Sequence, residues 1–316
     1  RMRLGLSPNE AYLLILAGLV LFSAAATAYG QWLLGHASDA AKQQRIAIVN
    51  SRVRASWSLI LIFAVAFALG QPGLLVVFAF SSFLALREFI ALTPTKASDH
   101  WALVIAFYAV IPIQYLLIGF DQYQIFSLFI PVYVFLLLPV LMALRQDTER
   151  YLERVAKVQW GLMISVFCVS HAGAIMALDI PRYQSSGQLL LLFFLLVVYF
   201  SDLFEVMASA LLGGTPLRSN ANKTRKGVLA GGLGAVLVGS ALWWLTPFRF
   251  WQAVLMAGAI VIAGFMGGLV LSSVKRSLGA KRWDTEIVLT RGALDRLDSL
   301  IFAAPVFYQL TVFFFL

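Results

Sequence analysis

Between residues 272 and 299 the sequence reads SSVKRSLGAKRWDTEIVLTRGALDRLDS, a charged stretch set between two long apolar runs. Six of the chain's 24 basic residues fall in it, Lys275, Arg276, Lys281, Arg282, Arg291 and Arg296, with four acids, Asp284, Glu286, Asp295 and Asp298. Ionisable groups beside hydrophobic spans are costly and usually serve a charged ligand. Clustered cations next to carboxylates suit a phosphate-bearing head group. A loop that only sets membrane topology would show the same charge, so this stretch alone leaves both readings open. A second set of candidates lies upstream in VVYFSDLFEVMASALL, residues 197–212, where Asp202 and Glu205 sit three apart and share one helix face. A carboxylate at bilayer depth costs at least about 2.5–3.5 kcal/mol, so it faces either a polar cavity or a partner such as a neighbouring hydroxyl or lysine. The loop that follows, GGTPLRSNANKTRK at 213–226, has four bases and no acid. Its glycines, asparagines and backbone amides could cradle phosphate oxygens, although a basic loop is expected beside a membrane in any case.

These candidates must be positioned by membrane helices. Of 316 residues, 61% are hydrophobic and 12% charged, whereas soluble domains are roughly 45–50% apolar and about 25% charged. The composition predicts an all-α polytopic integral membrane protein with no sizeable soluble domain. Ten runs are apolar enough to be spans: 9–34, 57–70, 72–86, 101–119, 124–144, 158–178, 188–212, 227–245, 250–271 and 298–316. Gln71, Pro72 and Gly73 predict a tight hairpin between the second and third. The first reads as an anchor rather than a cleaved leader. Of the 24 basic residues, 20 fall in alternate loops, which assigns those loops to the cytoplasm and both ends of the chain to the other side. The net charge of +9 would suggest nucleic acid in a soluble protein. Here it is better read as topology plus affinity for anionic lipids, with no nucleic-acid partner.

Other features have plainer readings. The lone Cys168 excludes a disulfide framework or a cysteine metal cluster. Residues 145–157 mix charges at helical spacing and read as an interfacial helix or a solvated helix extension without chemistry. Gly231, Ala235 and Gly239, and likewise Gly264 and Gly268, recur every four residues and allow close helix approach, within the chain or in a homodimer. His171 reads as a hydrogen-bonded core histidine. Trp57, Trp101, Trp243, Trp244 and Trp251 form an interfacial belt. The chain divides into an anchor and basic loop (1–55), an amino-terminal bundle (56–187) and a catalytic or binding region (188–316).

The charged stretch resembles the signature of the phosphatidate cytidylyltransferase (CDP-diacylglycerol synthase) family, roughly S-x-x-K-R, four residues, K-D, then P-G-H-G-G-x-x-D-R-x-D-S. Ser272, Lys275, Arg276, Lys281, Gly292, Asp295, Arg296, Asp298 and Ser299 match it without a gap. A second block, S-D followed about 20 residues later by S-P-x-K-T-W-E-G, looks like Ser201 and Asp202, then Lys223, Thr224 and Gly227. Leu86, Arg87, Glu88 and Phe89 also look like this family, in particular a paralogous branch with an extra amino-terminal span. The likeness is specific over 190–316 and looser before. The departures are acids lost and bases gained. Arg282 stands for an aspartate, Thr290 and Arg291 for the first two residues of His-Gly-Gly, Arg225 and Lys226 for Trp-Glu, Asn220 and Ala221 for Ser-Pro, and Gly268 for an aspartate closing the penultimate span.

The resemblance implies transfer of CMP from CTP to phosphatidate in phospholipid biosynthesis, at the cytoplasmic face of a bacterial inner membrane. It implies Asp295, Asp202 and Lys275 as catalytic residues. Lys223, Thr224, Arg276, Lys281, Arg296 and Asn222 would bind substrate, and Asp295, Asp298 and Asp202 would be ligands of Mg²⁺. Two polyanions brought together need such positive charge. The lost acids weaken the metal half of that scheme. They leave open an alternative, a catalytically impaired paralogue whose basic pocket binds anionic lipid or nucleotide and supports a partner protein. On the first reading, side chains of the last four spans converge on one phosphate-gripping pocket.

Overall fold

A computed structural model describes residues 7–36, 39–181, 183, 187–217, 220–279 and 292–316, and of residues 41, 217 and 220–222 the backbone alone. In chain order the elements are α1 (Pro8–Gly35), α2 (Ala40–Ala68), α3 (Gly70–Ala91), α4 (Ala97–Gly119), α5 (Tyr123–Ala143), α6 (Tyr151–Ile175) and α7 (Gly187–Leu212). Then come β1 (Pro216–Leu217), β2 (Asn220–Thr224), α8 (Arg225–Ala241), α9 (Phe250–Ser277) and α10 (Ala293–Phe315). The chain is an all-α polytopic membrane protein. Among the described residues nine helices are long and apolar enough to cross a bilayer. The other helix, α8, has 17 residues, roughly 25 Å of rise at the lower edge of what a span needs. The ten apolar runs thus fall on ten helices.

Two boundaries differ from the sequence expectation. The basic run before residue 57 is not a loop: α2 is one 29-residue helix that carries Arg45, Arg52 and Arg54 into the span. Nothing between Ala40 and Ala68 is glycine or proline, so the helix continues where hydropathy changes. It breaks at Leu69 rather than at 71–73, because Gly70 adopts the left-handed conformation, φ 69°. Pro72 then lies in the first turn of α3, where its missing N–H is one that the helix leaves unpaired anyway. At the start of α1, Ser7 and Glu10 form a reciprocal capping box and Pro8 follows the cap.

The chain forms two compact units interleaved in sequence, the first made of 1–73, 179–262 and 315–316, the second of 74–178 and 263–314. In the first, α7 is central: Phe193 and Phe194 are fully buried. Its Tyr199 hydroxyl donates to Ser56 Oγ of α2 at 2.8 Å. The glycine stripe of α8 is filled from inside the chain. A Cβ at Gly231 would fall onto the backbone of Glu205, and one at Gly239 would meet Ala257 at 2.7 Å. Leu13, Leu21, Leu61 and Val65 stay exposed, as side chains facing lipid do.

In the second unit several buried polar groups find partners inside the protein. Gln114 donates to Ser170 Oγ at 3.1 Å, and Tyr115 to Phe78 O at 2.9 Å. His171 is a core histidine, its Nδ1 2.8 Å from Phe167 O and its ring against Phe126 and Tyr308. Single π-helical stretches interrupt α4 at Ala106–Val110, α5 at Phe129–Val134 and α6 at Met163–Phe167. Pro131 lies inside the second, and such local adjustment lets a membrane helix absorb a proline.

The solvated reading of 145–157 is corrected at Arg154. Residues 151–157 do extend α6, but Arg154 is only 5% exposed and lies over Asp99, 1% exposed. Its guanidinium donates to Asp147 Oδ2 at 2.7 Å, Asp147 O at 2.8 Å and Ser98 Oγ at 3.1 Å. The periodicity places Arg154 on a helix face but says nothing of the 96–99 turn that covers it. Hydrogen bonds from Arg154 first, then Ser98, hold the Asp147 carboxyl well below its usual range. A carboxyl so depressed contributes stability that is present above its unfolded value, about pH 3.9, and lost as pH falls below it. The melting temperature in detergent is therefore expected to fall as pH drops from about 5 to 3. Asp147→Asn should flatten that fall and lower stability at neutral pH. An unchanged pH profile in the variant would refute the assignment.

Candidate functional site

In the first unit the site is built by α7 and the hairpin that leads into α8. β1 and β2 pair antiparallel, Pro216 opposite Thr224. Thr224 caps α8, its Oγ1 accepting from Gly227 N at 3.0 Å, while its own N–H donates to Ser209 Oγ at 3.0 Å. Gly227 has no room for a Cβ because Ser209 lies against it. This close contact of small residues brings Lys223 over α7, where its Nζ donates to Glu205 Oε2 at 2.8 Å. Glu205 is 6% exposed and its Oε1 has no hydrogen-bond partner. Glu205 has thus taken the lysine partner foreseen as the alternative to an open cavity. Asp202 lies one turn earlier on α7 and is half-buried. The side chain of Asn222 lies outside the described residues.

Removing one member of a buried ion pair leaves the other charge unpaired and costs about 3–5 kcal/mol. Lys223→Met is expected to destabilise the protein by that order, and the Lys223→Met/Glu205→Leu double variant to recover most of it. Denaturant titration of the three variants measures this, and additive losses would refute the pairing.

In the second unit the site lies where α9 ends and α10 begins. Lys275 and Arg276 occupy the last turn of α9 and Asp295 the first turn of α10, each at the helix end whose dipole favours its charge. Lys275 Nζ donates to Asp295 Oδ1 at 2.8 Å, both side chains part-buried. Arg296 and Asp298 are half-buried, and Asp298 Oδ1 accepts from Ser299 N at 2.8 Å. Lys281, Arg282 and Arg291 lie outside the described residues. One contact had no sequence signal. Glu88, near the end of α3, accepts from Ala293 N at 2.6 Å and Leu294 N at 2.9 Å, 205 and 206 residues away. The sequence marked Glu88 only as part of a family-like tetrapeptide; its partners are backbone amides, which no side-chain pattern reveals.

Among the described residues no group of three or more His, Cys, Asp or Glu side chains is placed to hold a metal ion. Asp295 is engaged by Lys275, and Asp298 by Ser299. Asp202 belongs to the first unit, Asp295 and Asp298 to the second. Among the described residues these acids are engaged by protein groups rather than gathered into a ligand set of three or more. The replacement at position 268 gives a physical reason: a Cβ there would stand 3.8 Å from Asp298 Oδ2. An aspartate at 268 would put a second carboxylate beside Asp298, the oxygen-rich set that Mg²⁺ requires. Gly268→Asp is expected to make thermal stability respond to Mn²⁺ or Mg²⁺ more steeply than in the parent, by up to about 2.7 kcal/mol at 100 times the dissociation constant. Equal cation responses would refute this account.

The model of the cytidylyltransferase family matches residues 50–314. Among similar proteins, the uncharacterized protein YnbB of Escherichia coli (strain K12) is 34% identical over 264 residues, 82% of this chain and 86% of the relative. A phosphatidate cytidylyltransferase of Aquifex aeolicus (strain VF5) is 33% identical over 119 residues, 37% of this chain and 45% of its own. One of Helicobacter pylori (strain J99 / ATCC 700824) is 32% identical over 133 residues, 42% of this chain and 50% of its own. This chain thus spans about half the length of these two enzymes. The family match takes in every side chain placed above, from Glu88 to Asp298, and the chain belongs to the cytidylyltransferase family.

Proposed function

We propose that this protein transfers CMP from CTP to phosphatidate, in a bacterial cytoplasmic membrane and at its cytoplasmic face. A phosphate oxygen of the lipid attacks the α-phosphorus of CTP. The bond from that phosphorus to the β-phosphate oxygen breaks, releasing pyrophosphate and CDP-diacylglycerol. The attacking phosphate is already ionised, so no difficult proton abstraction is needed. Positioning and charge neutralisation supply most of the rate.

The observation that carries this reading is that Lys223 and Lys275, both at family positions, are each held part-buried on a carboxylate at 2.8 Å. An incoming phosphate would share such a lysine with the carboxylate already beside it, since an ammonium carries three donors and can serve both anions at once. In this reading Lys275, oriented by Asp295, neutralises charge developing on the phosphates, and Asp202 orients a neighbouring base. Lys223, Thr224, Asn222, Arg276, Lys281 and Arg296 bind phosphate oxygens. Magnesium arrives with CTP as part of the substrate. A second reading has its own support: Arg225 and Lys226 stand exposed where the resemblance expects Trp and Glu, and the described acids are engaged within the chain. It makes the protein a binder of anionic lipid or nucleotide that serves a partner.

Purified protein with labelled CTP, phosphatidate and Mg²⁺ separates the two. Product should form, and Asp295→Asn should lower turnover by on the order of 100-fold or more. Turnover that survives Asp295→Asn would overturn the residue roles. Lipid binding without any product would establish the second reading.

A further inference from the structure

We propose that Glu88 is a positioning residue of the transferase site: seated on the first amides of α10, its carboxylate sets where Asp295 stands and so where Lys275 reaches. The inference rests on the function proposed above.

The residue before Ala293 is Gly292, which has no side-chain acceptor to offer the free amides of the first turn. Glu88 supplies the acceptors from α3, one oxygen to Ala293 N and the other to Leu294 N. Such charge-assisted bonds at a positive helix end are stronger and more directional than neutral ones. Gly292 leaves room for this seat, since a Cβ there would stand 2.7 Å from Glu88 Oε2 and would push the carboxylate aside.

The support behind Glu88 is rigid. Its neighbours Leu86 and Phe89 are 0% and 2% exposed. Phe89 packs where a Cβ on Gly161 of α6 would come within 2.7 Å. The clamp is therefore anchored in packed core, and it acts on the turn that holds Asp295, two residues after Ala293. Asp295 in turn holds Lys275 at 2.8 Å. Releasing the two amides frees that turn to fray, and a displacement of about 1 Å at a reacting group can cost on the order of 100-fold in rate. Lys223 and Arg276 lie on other elements and keep their places, so the loss falls mainly on turnover, through the displaced Lys275.

The test compares the full chain in lipid nanodiscs with Glu88→Gln, which preserves shape and one acceptor oxygen, and with Glu88→Ala. The expected result is a fall in kcat on the order of 10- to 100-fold for Glu88→Ala and less for Glu88→Gln, with KM for CTP and for phosphatidate within about twofold of the parent. Amide hydrogen exchange at 293 and 294 should quicken in the same order. An unchanged kcat, a rise in KM with kcat preserved, or unaltered exchange at those amides would each overturn the proposal. A parent chain without transferase activity overturns the function and with it the link to turnover, and the seat of Glu88 then stands or falls on the exchange measurement.

Discussion

A carboxylate withdrawn from water must be met by positive charge or by N–H groups inside the protein, and three acids of this chain meet that demand in different ways. Glu205 holds Lys223, Asp295 holds Lys275, and Glu88 holds two backbone amides. Each contact joins a helix to a segment distant in sequence or to the far side of a loop. The cost of leaving any of these charges unpaired is larger than the net worth of the pair, so each fixes geometry more than it adds stability. Each cluster inherits its local geometry from that constraint.

Close backbone approach makes the contacts reachable. Where α7 meets α8, Gly227 and Gly231 leave no space for a side chain, and the hairpin that ends in Thr224 delivers Lys223 onto Glu205. Where α3 meets the start of α10, Gly292 does the same for Glu88. In a bilayer, helices gain little from hydrophobic burial against each other, so small residues and internal polar contacts carry the association. Glycine is therefore part of how the site is built as well as of how the helices pack.

The resemblance to cytidylyltransferases is one of arrangement with altered charge. Lys223, Lys275 and Arg276 stand where the resemblance expects bases, while Lys226 and Gly268 stand where it expects acids. Gly268, facing Asp298 across 3.8 Å, shows what one such replacement removes. A carboxylate pair at that place would favour a cation more than the single carboxylate of Asp298 does.

Much of the architecture was legible in the residues themselves. A chain that is 61% hydrophobic, with 20 of its 24 basic residues between alternate pairs of apolar runs, reads as a bundle of membrane helices, because internally hydrogen-bonded elements are what cross lipid. The cytidylyltransferase likeness was legible in the same way, since Lys223, Lys275, Asp295 and Asp298 keep family spacing along the chain. The break before Gly70, the buried Arg154 and the seat of Glu88 were not legible. Each depends on which distant segment covers a side chain, and hydropathy and periodicity describe a helix face without naming its neighbour. Residue type and spacing determined that charge would be present at these helix ends; tertiary packing alone decided which charge each acid would hold, because pairing over 18 to 206 residues is set by the approach of backbones rather than by local pattern.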